Sequence, residues 1–267
     1  MKKLIFVRNK MLLAVDIGNT NIAAGVFKKH ELVNHWKIRT ENDKTCDEYA
    51  ITFLNLFSKD KLNISAIRSV IISSVVPPLT PIFQVMSHNL FQIKPLVVGP
   101  GLKTGMPILY ESPLEVGADR IVSSVAAFTK YGGPCIVVDF GTATTFDAVS
   151  AKGEYLGGAI APGIQISAEA LYLKTAKLPR IEIVKPKKVI GRTTVASMQS
   201  GIYYGYIGLV LNIIEKISQD LENKPIVIAT GGYAGLICNQ VDTIHHYEPF
   251  LVLEGLRIVH GKNKGDI

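Results

Sequence analysis

Two stretches of the chain decide its fold: Met11-Leu12-Leu13-Ala14-Val15-Asp16-Ile17-Gly18-Asn19-Thr20-Asn21 and Ile136-Val137-Val138-Asp139-Phe140-Gly141-Thr142-Ala143-Thr144-Thr145. In each stretch a short apolar run ends in an aspartate, and a glycine follows two residues later within a polar turn. This pattern is typical of a buried strand with a functional end. A return strand and a third strand follow each turn, so the sequence predicts the same β-meander twice.

The apolar patterns around these stretches predict an α/β order of elements in both halves of the chain. In the first half they predict strands at 11–16, 22–27, 31–39, 70–76 and 96–98 and helices at 47–56 and 80–90. In the second half they predict helices at 116–131 and 198–221 and strands at 136–139, 146–149, 154–160 and 225–230. Three glycines of the last helix, Gly201, Gly205 and Gly208, would let another backbone approach closely.

The two halves overlay without gaps when Asp16 is placed on Asp139. The overlay then matches Gly18 with Gly141, Val26 with Val149, Lys29 with Lys152, Glu31 with Glu154, and Asn19 with Thr142. We interpret this as an internal duplication that forms two α/β halves facing each other across a cleft. The expected domains are 11–115 and 116–267, preceded by a leader or tail at 1–10 to which we assign no function.

The composition excludes several classes of protein. The chain has 267 residues, of which 48% are apolar and 19% charged, which excludes a disordered chain. It contains no apolar stretch long enough for a spanning helix, so we expect a soluble protein without a membrane partner. Its three cysteines, Cys46, Cys135 and Cys238, form no CxxC pair. They therefore predict neither a zinc site nor a disulfide framework, and a cytoplasmic location fits.

The net charge of +7 is concentrated in two segments. The first ten residues carry four basic side chains, and residues 174–192 carry seven against one acid, Glu182. The second segment is either a solvated loop or a positive patch near an anionic ligand. A nucleic-acid contact is the third interpretation of this charge.

Three turns carry residues suited to binding a nucleotide. Gly18 and Gly141 each allow backbone N–H groups to converge on a phosphate, and Asp16 is placed to hold a hydrated Mg²⁺ ion. A third turn, Thr230-Gly231-Gly232-Tyr233, follows a strand and lets the backbone lie against a flat ligand such as adenosine. Taken alone, the first turn is also compatible with an ordinary hairpin. The chain lacks a Gly-x4-Gly-Lys-[Ser/Thr] motif, which disfavours a P-loop kinase.

The order of these turns resembles the superfamily of acetate and sugar kinases and actin. Further motifs resemble the type III pantothenate kinase family: Leu109-Tyr110-Glu111-Ser112-Pro113, Glu115-Val116-Gly117-Ala118-Asp119-Arg120, Ala161-Pro162-Gly163 and Ile190-Gly191-Arg192-Thr193-Thr194-Val195-Ala196-Ser197-Met198-Gln199-Ser200-Gly201. The resemblance runs from Met11 to about Gly255. It implies duplicated ribonuclease H-like (actin-like ATPase) domains, each a mixed sheet with flanking helices.

The same resemblance implies ATP-dependent phosphorylation of pantothenate, the first step of coenzyme A biosynthesis, with Mg²⁺ and a monovalent cation, K⁺ or NH₄⁺. Asp119 would be the proton acceptor and Asp139 would bind the monovalent cation. The implied nucleotide-binding residues are Asp16, Ile17, Gly18, Asn19, Thr20, Asn21, Ile22, Ala23 and Thr142. The implied pantothenate-binding residues are Tyr110, Gly117, Ala118, Asp119, Arg120 and Thr194. The family is typically a homodimer, and no nucleic-acid partner is implied.

One position departs from the family pattern, and two other functions remain open. Thr193 stands where many relatives carry Asn, which leaves open whether Thr193 or Thr194 faces the substrate. Another small-molecule kinase of the superfamily is the first alternative. A non-catalytic regulatory or nucleic-acid-associated protein, suggested by the pI of about 9.2, is the second.

Overall fold

The computed structural model describes residues 10–265. They form two compact units, one of residues 10–105, 114–123 and 252–265 and the other of residues 106–113 and 124–251. The first unit therefore includes the C-terminal residues that the sequence-based division placed in the second domain. No helix within the described residues is long and apolar enough to cross a membrane.

The first unit contains a five-stranded mixed sheet. Its strands are β1 (Met11–Ile17), β2 (Asn21–Lys28), β3 (Glu31–Arg39), β4 (Ile67–Ser74) and β5 (Leu96–Val97). They are arranged in the order β3-β2-β1-β4-β5. The β1–β2 and β2–β3 pairs are antiparallel, whereas β1–β4 and β4–β5 are parallel.

The second unit repeats this sheet. Its strands are β6 (Cys135–Phe140), β7 (Ala143–Val149), β8 (Tyr155–Pro162), β9 (Ile226–Thr230) and β10 (His246–Tyr247). They lie in the order β10-β9-β6-β7-β8, with antiparallel β6–β7 and β7–β8 pairs and parallel β6–β9 and β9–β10 pairs. Each strand thus has a counterpart with the same neighbours in the other unit, which confirms the predicted duplication.

Helices connect and flank the strands. They are α1 (Cys46–Lys59), α2 (Leu79–Phe91), α3 (Ala118–Tyr131), α4 (Ile164–Lys174), α5 (Thr194–Asp220), α6 (Ala234–Ile237) and α7 (Leu251–Lys264). The sequence patterns predicted α1, α2, α3 and α5 but not α4, α6 or α7, and they did not predict β10. In the first unit, Trp36 packs against Phe53 and Phe57 of α1, in a core formed by buried residues of the strands and of α1 and α2.

The strand registers correct the overlay without gaps. Asp16 pairs with Ala23 across the first hairpin, whereas Asp139 pairs with Thr145 across the second. Because the second turn is one residue shorter, Val26 corresponds to Ala148 and the match of Val26 with Val149 is wrong.

The backbone hydrogen bonds show which residue is extra. The Thr40 N–H donates to Thr20 O at 3.0 Å, and the Gly163 N–H donates to Thr142 O at 3.2 Å. Thr20 therefore corresponds to Thr142, and Asn19, which the overlay had matched with Thr142, has no counterpart. The turn between the second and third strands is one residue longer in the second unit, at 150–154 against 28–31 in the first. The two differences in length cancel after this turn, so the match of Glu31 with Glu154 is correct.

Candidate active site

The first turn lies at the carboxyl end of β1. The Gly18 N–H donates to Asn21 O at 3.1 Å and closes the turn. A Cβ on Gly18 would lie 2.9 Å from that same oxygen, so a side chain here would push the turn open. The side chains of Asn19 and Thr20 are exposed, whereas Ile17 and Ile22 are buried in the core. The two isoleucines can therefore serve a ligand only through their backbone, and Ala23 faces Asp16 across the hairpin.

A buried serine orients the carboxylate of Asp16. Ser73 lies opposite Asp16 on the neighbouring parallel strand β4, and its Oγ donates a hydrogen bond to Asp16 Oδ1. Ser73 is completely buried. The sequence analysis missed this contact, although the serine pair Ser73-Ser74 in the middle of the otherwise apolar run 70–76 was a signal for it.

Asp119 lies in the first turn of α3, in the same unit as Asp16. Its Oδ1 accepts a hydrogen bond from the Arg120 backbone N–H at 2.8 Å. Burial raises the pKa of the Asp119 carboxyl, and the Arg120 backbone N–H and guanidinium charge oppose that rise. A half-buried carboxylate with a raised pKa is a better proton acceptor than an ordinary surface aspartate.

Gly117 gives the Asp119 side chain its space. A Cβ on Gly117 would lie 2.5 Å from Asp119 Oδ1 and 3.4 Å from Val75 Cγ1. The Val75 N–H in turn donates to Ile17 O at 3.0 Å. Gly117 and Ala118 are thus next to the residues that follow β4, at the same end of the first sheet as Asp16.

In the second unit, Asp139 lies near the end of β6, opposite Thr230 of β9. Gly231, with φ +94°, packs its backbone against this aspartate, and a Cβ there would collide with Asp139 Oδ1. A glycine therefore gives room to the carboxylate in both units, Gly117 for Asp119 and Gly231 for Asp139. Thr142 is exposed on the shorter turn that follows.

The remaining predicted site residues also belong to the second unit. The Tyr110 ring lies 6.4 Å from the Tyr155 ring and against the backbone of Gly157, where a Cβ would lie 3.3 Å from Tyr110 Cε2. Thr193 caps α5, because its Oγ1 accepts the Ala196 N–H at 3.2 Å. Thr194 is the exposed first residue of that helix. The Thr193 hydroxyl oxygen is therefore engaged by the N-terminus of α5, whereas Thr194 is part of the helix.

Behind Tyr110 lies a buried carboxylate that sequence analysis did not find. Asp147 of β7 is 1% exposed. It accepts hydrogen bonds from Tyr155 Oη at 2.7 Å and from Thr145 Oγ1 at 3.1 Å. The bond from Tyr155 holds the ring of that tyrosine in place, and the Tyr110 ring lies next to it.

No group of three or more His, Cys, Asp or Glu side chains suited to a metal ion occurs in residues 10–265. The single carboxylate of Asp16 at the end of β1 fits Mg²⁺, which proteins usually bind through one or two carboxylates while water and substrate phosphates supply the other ligands.

Comparison of the three-dimensional structure with solved structures identifies the fold. The ethanolamine utilization protein EutJ from Carboxydothermus hydrogenoformans aligns over 92% of this chain and 88% of its own, with a TM-score of 0.55 and 15% identity. A putative N-acetylglucosamine kinase from Porphyromonas gingivalis aligns over 95% and 99%, with a TM-score of 0.51 and 12% identity. At these identities the likeness shows the fold alone, and it confirms the predicted duplicated actin-like architecture.

The sequence comparisons identify the family. The sequence profile of type III pantothenate kinase matches residues 12–216. Type III pantothenate kinases of Moorella thermoacetica and Geobacter sulfurreducens are each 54% identical to this chain, and each alignment covers 95% of the chain and 100% of the relative. The chain therefore belongs to the type III pantothenate kinase family.

Proposed function

We propose that this chain transfers the γ-phosphoryl group of ATP to the primary hydroxyl of pantothenate, with Asp119 as the proton acceptor. Membership of the family makes it a kinase acting on pantothenate in coenzyme A biosynthesis. The observation that supports the assignment of the base is the half-buried Asp119 carboxylate with its raised pKa at the start of α3.

The proposed step needs alignment and charge neutralisation rather than a covalent intermediate. Asp119 takes the proton of the pantothenate hydroxyl, the hydroxyl oxygen attacks the γ-phosphorus, and ADP leaves with the electron pair of the broken P–O bond. The space left by Gly117 allows the carboxylate to adopt its position. The guanidinium of Arg120 suits the carboxylate of pantothenate or the charge on the transferred phosphoryl group.

Binding of ATP is assigned to both turns. The segment from Asp16 to Ala23 contacts its phosphates, with the exposed Asn19 and Thr20 at the tip of the turn, and Thr142 contacts the nucleotide. Asp16 would hold Mg²⁺, which, when bound, neutralises phosphate charge. Asp139 would bind the monovalent cation, K⁺ or NH₄⁺, through its carboxylate oxygens.

Tyr110, Gly117, Ala118, Arg120 and Thr194 bind pantothenate in this proposal. The exposed position of Thr194 and the packed position of the Tyr110 ring support their roles. The seven basic residues of 174–192 precede Thr194, so a positive field there would favour an anionic substrate. If KM for pantothenate does not change with ionic strength at fixed K⁺, this contribution of the basic segment is wrong.

We also propose a cytoplasmic homodimer. Gly201, Gly205 and Gly208 were expected to admit another backbone, yet a Cβ on any of them meets no atom within 4 Å. Leu211, three residues after Gly208 and therefore on the same side of the helix, is exposed. This face of α5 is therefore open to a second copy of the chain.

The dimer is tested by sedimentation velocity of the wild type, Gly205→Leu and Gly235→Leu. The first variant adds a side chain to the open face of α5. The second adds one at another open helical glycine, in α6, and is the control. Dissociation of the Gly205→Leu dimer alone is expected, and a monomeric wild type would refute the dimer.

The function itself is tested by measuring ADP release from ATP and Mg²⁺ by the purified protein. Release is expected to require pantothenate and to be faster in K⁺ than in Na⁺ buffer. Release with another alcohol but not with pantothenate would instead support the alternative of a different small-molecule kinase. ATP binding without turnover, together with salt-sensitive DNA binding, would support a regulatory or nucleic-acid-associated protein.

A further inference from the structure

The end of β4 contacts two parts of the first unit that the proposed function uses. Ser73 donates to the carboxylate of Asp16, and Val75, two residues later, lies next to Gly117 at the start of the Asp119 segment. The two side chains of the Ser73–Asp16 pair are 57 residues apart in sequence and are brought together by the β1–β4 register.

From this contact we infer that Ser73 is a positioning residue for the Asp16 carboxylate. The inference rests on the proposed function, because it takes Asp16 as the group that serves the metal and the phosphates of ATP. Ser73 does not touch the nucleotide itself. Its completely buried hydroxyl donates to Oδ1 and so restricts the rotamer of the Asp16 side chain.

The physical basis is that a hydrogen bond to a charged group is stronger than one between neutral groups. Without the serine hydroxyl, Asp16 would lose a fixed partner in a half-buried position and would populate other rotamers. A cation ligand that must first be ordered binds its cation more weakly than a preorganised one.

The second unit has a related arrangement at the corresponding place. Thr230 lies opposite Asp139, as Ser73 lies opposite Asp16, and is 4% exposed. A hydroxyl residue therefore accompanies the strand-end aspartate in both copies of the fold, on the neighbouring parallel strand. Because threonine occupies this position in the second unit, Ser73→Thr is the substitution that keeps a hydroxyl group at it.

The experiment compares Ser73→Ala with Ser87→Ala. Ser87 is the matched control, because it is also completely buried in the first unit and donates its hydroxyl hydrogen bond to Phe83 O inside α2. Binding of Mn²⁺ in the presence of ATP is measured by electron paramagnetic resonance, and kcat and the KM values for ATP and pantothenate are measured with Mg²⁺.

Ser73→Ala is expected to weaken Mn²⁺·ATP binding about tenfold, which corresponds to loss of one hydrogen bond to a charged group. KM for ATP should rise in parallel, while KM for pantothenate should stay within twofold of the wild type. Ser87→Ala should leave all three quantities unchanged. If the two variants bind Mn²⁺·ATP equally well, Ser73 is a structural serine and the inference is wrong.

A second pair of variants keeps the test valid if Ser73→Ala does not fold. Ser73→Thr and Ser73→Val have nearly the same shape, so both carry the same packing cost and differ in the hydroxyl. Tighter Mn²⁺·ATP binding by Ser73→Thr than by Ser73→Val supports the inference, and equal binding refutes it. If the wild type binds Mn²⁺·ATP but releases no ADP with pantothenate, the proposed function fails while the comparison at Ser73 still decides the inference.

Discussion

The two units have the same strand order and pairing but differ at the turn that follows the aspartate. Both hairpins even carry a register shift at the same place, between Val26 and Phe27 in the first unit and between Ala148 and Val149 in the second. The turn after Asp16 has one residue more than the turn after Asp139. The duplicated sheet has thus been kept, and one of the two changes in turn length lies at the edge that carries the predicted ligand-binding residues.

A second difference concerns what lies inside each sheet. Gly25 and Leu32 in the first unit correspond by register to Asp147 and Tyr155 in the second. The first pair makes an apolar contact, since a Cβ on Gly25 would lie 2.9 Å from Leu32 Cδ1. The second pair is joined by the buried Tyr155–Asp147 hydrogen bond. The same backbone therefore holds an apolar contact in one copy and a fixed polar pair behind Tyr110 in the other.

The third difference is the helix that follows the fifth strand. The helix α3 follows β5 and begins with Ala118, Asp119 and Arg120, whereas α7 follows β10 and begins with Leu251, Val252 and Leu253. The second residue of α7 is therefore Val252 where α3 has Asp119, and the acid in the first turn of α7 is Glu254, two residues further along. The two helix starts thus carry their first acid at different positions, whereas the strands and their pairing are shared by both units.

The largest expected effect comes from removing that acid. Asp119→Asn should lower kcat about 10²–10⁴-fold, because a positioned general base contributes that much to the rate. Because burial raises the Asp119 pKa in the folded state, its stabilising contribution is present at low pH and is lost as pH rises through the folded pKa. The variant lacks this charge, so its thermal midpoint at pH 8 should equal or exceed that of the wild type.

Steady-state kinetics and thermal unfolding check both outcomes. Glu115→Gln is the control, since Glu115 is an exposed acid four residues before Asp119. We would abandon Asp119 as the base if the Asn variant kept near-full turnover.

The next effect concerns Arg120 and has two separable parts. Arg120→Gln should raise KM for pantothenate about 10–100-fold through loss of a charge-assisted contact. It should also move the acid limb of the pH profile of kcat to higher pH. The rate falls as Asp119 becomes protonated, and the Arg120 charge opposes the rise of the Asp119 pKa, so removing that charge raises the pKa further.

The pH profile of Arg120→Lys separates the two parts. Lysine keeps the positive charge but lacks the planar fork of the guanidinium. Its acid limb should stay near that of the wild type even though KM for pantothenate rises. An unchanged acid limb in Arg120→Gln would show that Asp119 does not set the pH dependence.

The sequence predicted most of the fold because the central strands are continuous apolar runs bounded by turn residues. It did not predict β10, since His246–Tyr247 is a two-residue exposed strand without a pattern. It also missed α4, where Ile166 and Leu173 are exposed although they are apolar, so that no one-sided apolar stripe marks the helix.

The site was predicted less completely than the fold. Asp16 and Asp139 follow from the strand–turn pattern, whereas the role of Asp119 came only from the family resemblance. The one-residue difference between the turns was invisible because Asn19, Thr20 and Thr142 are all small and polar. The Ser73–Asp16 contact depends on strand order, which a pattern within one strand does not contain.

The smallest expected effects test the difference in turn length itself. Thr40 and Gly163 occupy corresponding positions after the third strand of each sheet. The longer first turn has room for Thr40, whose Oγ1 donates to Gly18 O at 2.7 Å. A Cβ on Gly163 would collide with Thr142 O and would lie 2.6 Å from Gly141 O. Gly163→Ala should therefore destabilise the protein by about 1–3 kcal/mol, as overpacking does.

Thr40→Ala should cost only about 1 kcal/mol, the value of one hydrogen bond. Gly235→Ala is the control for an added methyl group, because that position is open and lies outside the proposed dimer face, and since a helical glycine is unfavourable it should gain up to about 1 kcal/mol. Urea unfolding of the three variants gives the free energies. The predicted order depends on the shorter turn after Asp139, which leaves no space for a side chain at Gly163. Equal costs for Gly163→Ala and Thr40→Ala would mean that the second turn can relax to make that space, and the difference in turn length would then have no energetic consequence at this position.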